Sequence, residues 1–147
     1  TSIETINPIN NHVSCILDTK TGDIVFQLKI ISFEFEKALM EEHFNEKYME
    51  SEKYPKSTFI GKIKRWDNKL ILKQVQHEIE ANGIITIHGV EKEIKALGSL
   101  KVDEGNLIIN AMFDLVIADF NIKIPKIVRK NISEIVKVDV DVTLKQN

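Results

Sequence analysis

Four stretches of this chain alternate apolar and polar residues with a period of two, and that pattern leaves few folds open. Ile79, Ala81, Gly83, Ile85 and Ile87 alternate with Glu78, Glu80, Asn82, Ile84 and Thr86. Ile94, Ala96, Gly98, Leu100 and Val102 then alternate with Glu93, Lys95, Leu97, Ser99 and Lys101, and Asp103-Glu104-Gly105-Asn106 supplies a hairpin turn. Leu107, Ile109, Ala111, Phe113, Leu115 and Ile117 follow on one phase. The last stretch sets Val136, Val138, Val140, Val142 and Leu144 against Lys137, Asp139, Asp141, Thr143 and Lys145. Successive strand residues point to opposite faces, so each stretch is a half-buried antiparallel strand with one wet face. A sheet of such strands must cover its apolar face, by closing on itself or by accepting a helix.

Helical periodicity interrupts the strands in one place, between Ala38 and Gly61. Leu39, Met40, His43, Phe44 and Tyr48 recur at spacings of three and four, with Glu41, Glu42, Asn45, Glu46 and Glu50 on other faces. This predicts an amphipathic helix of about three turns. Pro55 is expected to end it, because the residue before a proline is pushed out of the α region, and a strand should start near Thr58. That strand carries Phe59, Gly61 and Ile63 on one face. Upstream, Val13, Cys15 and Leu17 mark a strand closed by the turn residues Thr19 to Asp23. The next strand shifts phase from Ile24, Phe26, Leu28 and Ile30 to Ile31, Phe33 and Phe35, which predicts one extra residue, as in a β-bulge, or a sharp bend near Ile30. Leu70 to Val75 reads as a short connection or strand, and residues 122–131 as a turn or short helical cap. Ile3, Ile6 and Ile9 around Pro8 stay unassigned. The sum is an antiparallel β-barrel of about eight strands with one helix capping or plugging an end. A two-layer α+β sheet with the helix on its open face is the other arrangement the pattern allows.

The 147 residues fit a single domain over residues 1–147, and 43% hydrophobic residues supply a core without staples. A net charge of -2, with both signs mixed along the chain, argues against a nucleic-acid partner, which needs a clustered basic face. One cysteine, Cys15, excludes an internal disulfide and a cysteine-based metal cluster. No apolar run approaches the roughly 20 residues of a transmembrane helix. No targeting segment is visible, which is uninformative in a chain that starts at Thr1.

No assembled catalytic or metal constellation is visible. His12, His43, His77 and His88 sit in separate segments, without a His-x-x-x-His or Glu-x-x-His pair to preform a metal site. His43 and His88 read as structural donors rather than ligands. No nucleophile elbow, phosphate loop or dinucleotide fingerprint appears, so no catalytic residue, no metal and no cofactor is expected. The inner phase mixes large residues with Gly61, Ala81, Gly83, Ala96, Gly98 and Ala111. Those small residues either mark bends in a dry core or leave volume for one small ligand, and the pattern alone leaves both open.

Three segments carry a resemblance. Lys53-Tyr54-Pro55-x-x-x-Phe59 follows the helix bearing His43. Ile85-Thr86-Ile87-His88-Gly89-Val90-x-Lys92 lies on a hairpin, and Asp119-Phe120-Asn121-Ile122 precedes the valine-rich last strand. In this order, from about His12 to Leu144, they resemble the YceI-like family. Glu91 and Asn121 stand where threonine and glycine are common in it. The resemblance implies a lipocalin-like barrel, no enzyme activity, an apolar tunnel for a long-chain lipid or isoprenoid, and export to the bacterial periplasm or beyond. On that reading the ligand wall comprises Met40, Phe44, Tyr48, Phe59, Ile63, Ile79, Ile85, Ile87, Ala111, Phe113, Leu115, Val138 and Val140. A homodimer stays open, as does a dry-core barrel acting as a protein-interaction or stress-response module.

Overall fold

The computed structural model describes residues 7–124 and 134–145. The alternating stretches become long strands: β6 (His77–Ile87), β7 (Val90–Asp103), β8 (Asn106–Val116) and β9 (Ile135–Lys145). Before them come β1 (Ile9–Asn10), β2 (Val13–Leu17), β3 (Asp23–Lys29), β4 (Phe33–Glu34) and β5 (Lys56–Ile63). Seven strands pair antiparallel in the order β2-β3-β5-β6-β7-β8-β9. The end strands β2 and β9 approach to within 8 Å between Cα atoms without joining in a ladder. The sheet is therefore a nearly closed antiparallel barrel, and the layered α+β alternative is set aside. The apolar phases face inward and form one core around Ile24, Phe59, Ile85, Leu100 and Ile109.

The phase shift near Ile30 comes from the sharp bend rather than from a bulge. The chain leaves β3 at Lys29, makes one 3-10 turn over Ile30–Ser32, and enters β4. There it pairs with β1 in a separate two-stranded ribbon, Ile9 opposite Glu34 and Asn10 opposite Phe33. The change of phase is a change of sheet, and it gives Ile9 a partner.

The helix departs from expectation. α1 (Ala38–His43) makes under two turns and continues as a wider π turn over Phe44–Tyr48, where the Met49 amide donates to the Phe44 carbonyl oxygen at 2.8 Å. Tyr48 and Met49 are both buried. The helical segment ends by Glu50, whose φ of 48° is left-handed, five residues before Pro55. Pro55 acts otherwise: its carbonyl oxygen accepts from the Ile30 amide at 2.9 Å and ties the approach to β5 to the end of β3. The Leu70 to Val75 region is a connection, opened by a 3-10 turn over Asn68–Ile71 that Asp67 caps through the Lys69 amide. The cap expected over residues 122–131 lies largely outside the described residues.

The barrel has two unlike ends. At one, Trp66 Nε1 donates to the Thr19 carbonyl oxygen at 2.8 Å and the indole lies on Gly22. A Cβ at Gly22 would come 2.5 Å from Trp66 Cβ, and its φ of 81° suits glycine. Behind this stopper Ile63, Leu100 and Ile109 have lost essentially all contact with solvent. At the other end lie α1, the tip of the β6–β7 hairpin and the 3-10 turn Ile117–Phe120.

Candidate functional site

The register explains the small inward residues. Gly61 of β5 pairs with Gly83 of β6, and Phe59 pairs with Ile85. The Phe59 ring folds across both glycines, so that a Cβ at Gly61 would stand 2.7 Å, and one at Gly83 2.8 Å, from its Cζ. Gly98 of β7 is covered by the β8 backbone at Asn110 and Ala111. These three glycines leave no free volume. They allow close approach, and an aromatic ring or a neighbouring strand takes the space that side chains would fill.

The inward residues of β7, β8 and β9 toward the α1 end are less deeply buried. Ile94 of β7, Phe113 and Leu115 of β8, and Val138 and Val140 of β9 all point inward yet stay half-buried. Ile94, Phe113 and Leu115 pack against the core cluster, and the partial exposure continues through Val142 and Leu144 along β9, the end strand of the sheet. In the aromatic cluster on the α1 side, Phe44 meets Phe33 edge-on at 5.6 Å and Phe35 at 4.8 Å between ring centroids. The apolar interior is thus most deeply buried at Ile63, Leu100 and Ile109 and least so along β9.

A polar joint fixes the position of α1. His88, at the β6–β7 tip with a φ of 55°, reaches two other segments. Its Nδ1 donates to the Phe120 carbonyl oxygen at 2.9 Å, since a carbonyl only accepts, and its Nε2 lies 2.6 Å from Glu50 Oε2. Tyr54 packs edge-on against the imidazole at 4.7 Å between ring centroids and also covers Gly89. Asn121 follows at a φ of 56°, a left-handed position that asparagine tolerates and glycine would fill freely. The three sequence segments behind the resemblance therefore meet at one point. His88 is a structural donor as read from sequence; its partner Glu50 had no signal, because no spacing rule links residues 38 positions apart.

Of the thirteen expected wall residues, Phe59, Ile63, Ile85 and Ile87 are buried in the main cluster, and Phe44, Ile79, Phe113 and Leu115 pack against it. Tyr48 is buried outside that cluster, and Met40, Ala111, Val138 and Val140 are half-buried. Ile63 sits behind the Trp66 stopper. Among the described residues, no group of three or more His, Cys, Asp or Glu side chains is placed to hold a metal ion. Burial pushes the Cys15 thiol up to about 11, so it stays neutral near pH 7. Ser57 Oγ, Asn45 Oδ1 and His77 Nε2 are buried without a hydrogen-bond partner.

A nearly closed seven-stranded antiparallel sheet around an apolar core, with one short helix, defines a lipocalin-like barrel. The chain belongs to the YceI-like family, whose domain model matches residues 5–144. The Campylobacter jejuni YCEI crystal structure superposes with a TM-score of 0.79 at 18% identity, covering 100% of this chain and 88% of that one. A polyisoprenoid binding domain from Saccharophagus degradans, implicated in plant cell wall breakdown, gives 0.77 at 14% identity over 92% and 82% of the two chains. Burkholderia cenocepacia BcnA gives 0.74 at 12% identity over 91% and 83%. No curated protein matches the sequence.

Proposed function

We propose that this protein binds a long-chain apolar molecule, an isoprenoid, fatty acid or related lipid, inside the barrel and without catalysis, for transport, storage or protection. The observation that carries the reading is the half-buried apolar wall of Phe113, Leu115, Val138 and Val140 opposite the aromatic cluster of α1. Family membership and the polyisoprenoid-binding description of the Saccharophagus neighbour support it. The chain would enter at the α1 end and displace water from that wall. Each buried methylene contributes about 0.8 kcal/mol, so ten to fifteen give roughly 8–12 kcal/mol before ordering costs. Periplasmic or extracellular placement follows the same family reading, since apolar cargo needs a carrier wherever it crosses water. No helix among the described residues is long and apolar enough to span a membrane.

Native mass spectrometry of the purified protein, followed by solvent extraction, tests this directly. A bound mass released as a long-chain lipid is expected. The second reading, a dry-core barrel serving as an interaction or stress-response module, is favoured by one observation: the Phe59 ring fills the space over Gly61 and Gly83. It predicts an empty spectrum and no uptake of added long-chain lipid.

A further inference from the structure

The unpartnered buried atoms Asn45 Oδ1, Ser57 Oγ and His77 Nε2 are not equivalent. Asn45 already uses its amide nitrogen on the Glu41 carbonyl oxygen at 3.1 Å, and His77 lies at the Trp66 end, opposite Leu100. Ser57 is different. Strand alternation puts it on the inward face of β5 with Phe59, Gly61 and Ile63, at the α1 end of the barrel. Its cross-strand partner on β3 is Leu28, and the register that pairs Thr58 with Thr86 brings buried Ile87 of β6 to its other side.

Leu28, Phe59 and Ile87 offer Ser57 nothing but hydrocarbon. A buried hydroxyl in such surroundings is destabilising unless something hydrogen-bonds to it, and a barrel that had only to pack would be served here by alanine or valine. A serine brings one O–H donor and two lone pairs, so it can answer a hydroxyl, an amide or a carbonyl group. The neighbouring cations are turned elsewhere: Lys56 and its partner Lys29 lie on the outward phase and are exposed. Lys92, on the inward phase of β7 two strands away, stands opposite Ile85 and is exposed as well. A carboxylate or phosphate seated at Ser57 would lose its hydration without gaining a counter-ion.

We propose that Ser57 Oγ hydrogen-bonds the polar end of the long-chain ligand, and that this end is uncharged: an alcohol, an amide or a carbonyl group. The assignment rests on the binding reading above and adds to it the class of head group and its place, at the α1 end between β3, β5 and β6. The ligand supplies the partner that the fold withholds from Ser57, so one hydrogen bond distinguishes a chain with a neutral polar end from a plain hydrocarbon.

Competition titrations against a fluorescent long-chain probe, on delipidated parent and Ser57→Ala protein, test this with hexadecanol, hexadecane and palmitate. Hexadecanol and hexadecane differ only in the terminal hydroxyl. Ser57→Ala should weaken hexadecanol about three- to tenfold, the worth of one hydrogen bond, and leave hexadecane within about twofold. Palmitate, ionised at about pH 8, should also stay within about twofold, because its head does not seat at Ser57. The Tm of unliganded Ser57→Ala should equal or exceed the parent's, since the hydroxyl it removes has no partner there. A variant that weakens hexadecanol and hexadecane alike, or neither, overturns the assignment, and so does a Tm several degrees lower, which would reveal a structural hydrogen bond. A larger loss for palmitate than for hexadecanol overturns the uncharged head group. A parent that takes up none of the three overturns the binding reading itself, and this inference with it.

Discussion

Phe59 shows how one side chain sets the chemistry of its neighbours. Its ring can lie flat on the inner wall only because Gly61 and Gly83, paired across β5 and β6, carry no Cβ beneath it. Sequence alone shows glycines on the inner phase without showing that the register brings two of them together under an aromatic. Phe59→Ala should therefore cost about 3–5 kcal/mol in urea unfolding, the usual range for emptying a buried aromatic site. A loss below about 1 kcal/mol would mean that the ring is not the filler of that level. Cys15 carries the opposite lesson. Burial holds its thiol near 11, so it packs in β2 as a small neutral hydrophobe. Cys15→Ser should keep lipid uptake intact, and the parent thiol should alkylate more slowly at pH 7.5 than a free cysteine. Loss of uptake in a folded Cys15→Ser variant would point to chemistry at the sulfur.

The α1 segment stays in place by two unlike contacts, and they predict separable effects. Phe44 lies against Phe33 and Phe35, so Phe44→Asp puts a carboxylate into an aromatic contact and should cost about 2 kcal/mol, seen as a fall of several degrees in Tm. An unchanged midpoint would show that this aromatic contact does not hold the helix. His88 binds the other side of the joint, and His88→Ala leaves the Phe120 carbonyl oxygen without its donor. That change should cost about 1–3 kcal/mol and expose the 117–120 turn to faster amide exchange. The long strands were legible in the sequence because a period of two survives any tertiary context that keeps one face buried. The change of sheet after Ile30, the π turn at Phe44 and the partnership of Glu50 with His88 were not. Each depends on which sheet or segment the chain meets next, and neither periodicity nor propensity carries that information.

Across the whole barrel, Trp66 on Gly22 seals one end, and an apolar wall along β8 and β9 stays half-buried. The alternation alone leaves both a dry core and a cavity open, because it fixes which face is inside but not how full the inside is. Ala111 is the position that separates them. It points inward from β8, is half-buried, and stands between Gly98 of β7 and Val140 of β9, with Phe113 the next inward residue of its own strand. If the lumen at this level is full, Ala111→Phe overpacks it, at a cost of about 1–3 kcal/mol or more, because close-packed interiors have no room for a phenyl ring beyond the methyl. If the half-buried wall borders a ligand channel, the ring lies in it. The unliganded variant then keeps its stability while affinity for a long-chain lipid falls by at least tenfold, because the ring occupies the path of the chain. Urea unfolding and lipid titration on the same variant are read together. Retained stability with lost binding is the expected result, and strong destabilisation, joined to an absence of extractable lipid in the parent, would leave the dry-core module as the better account of this barrel.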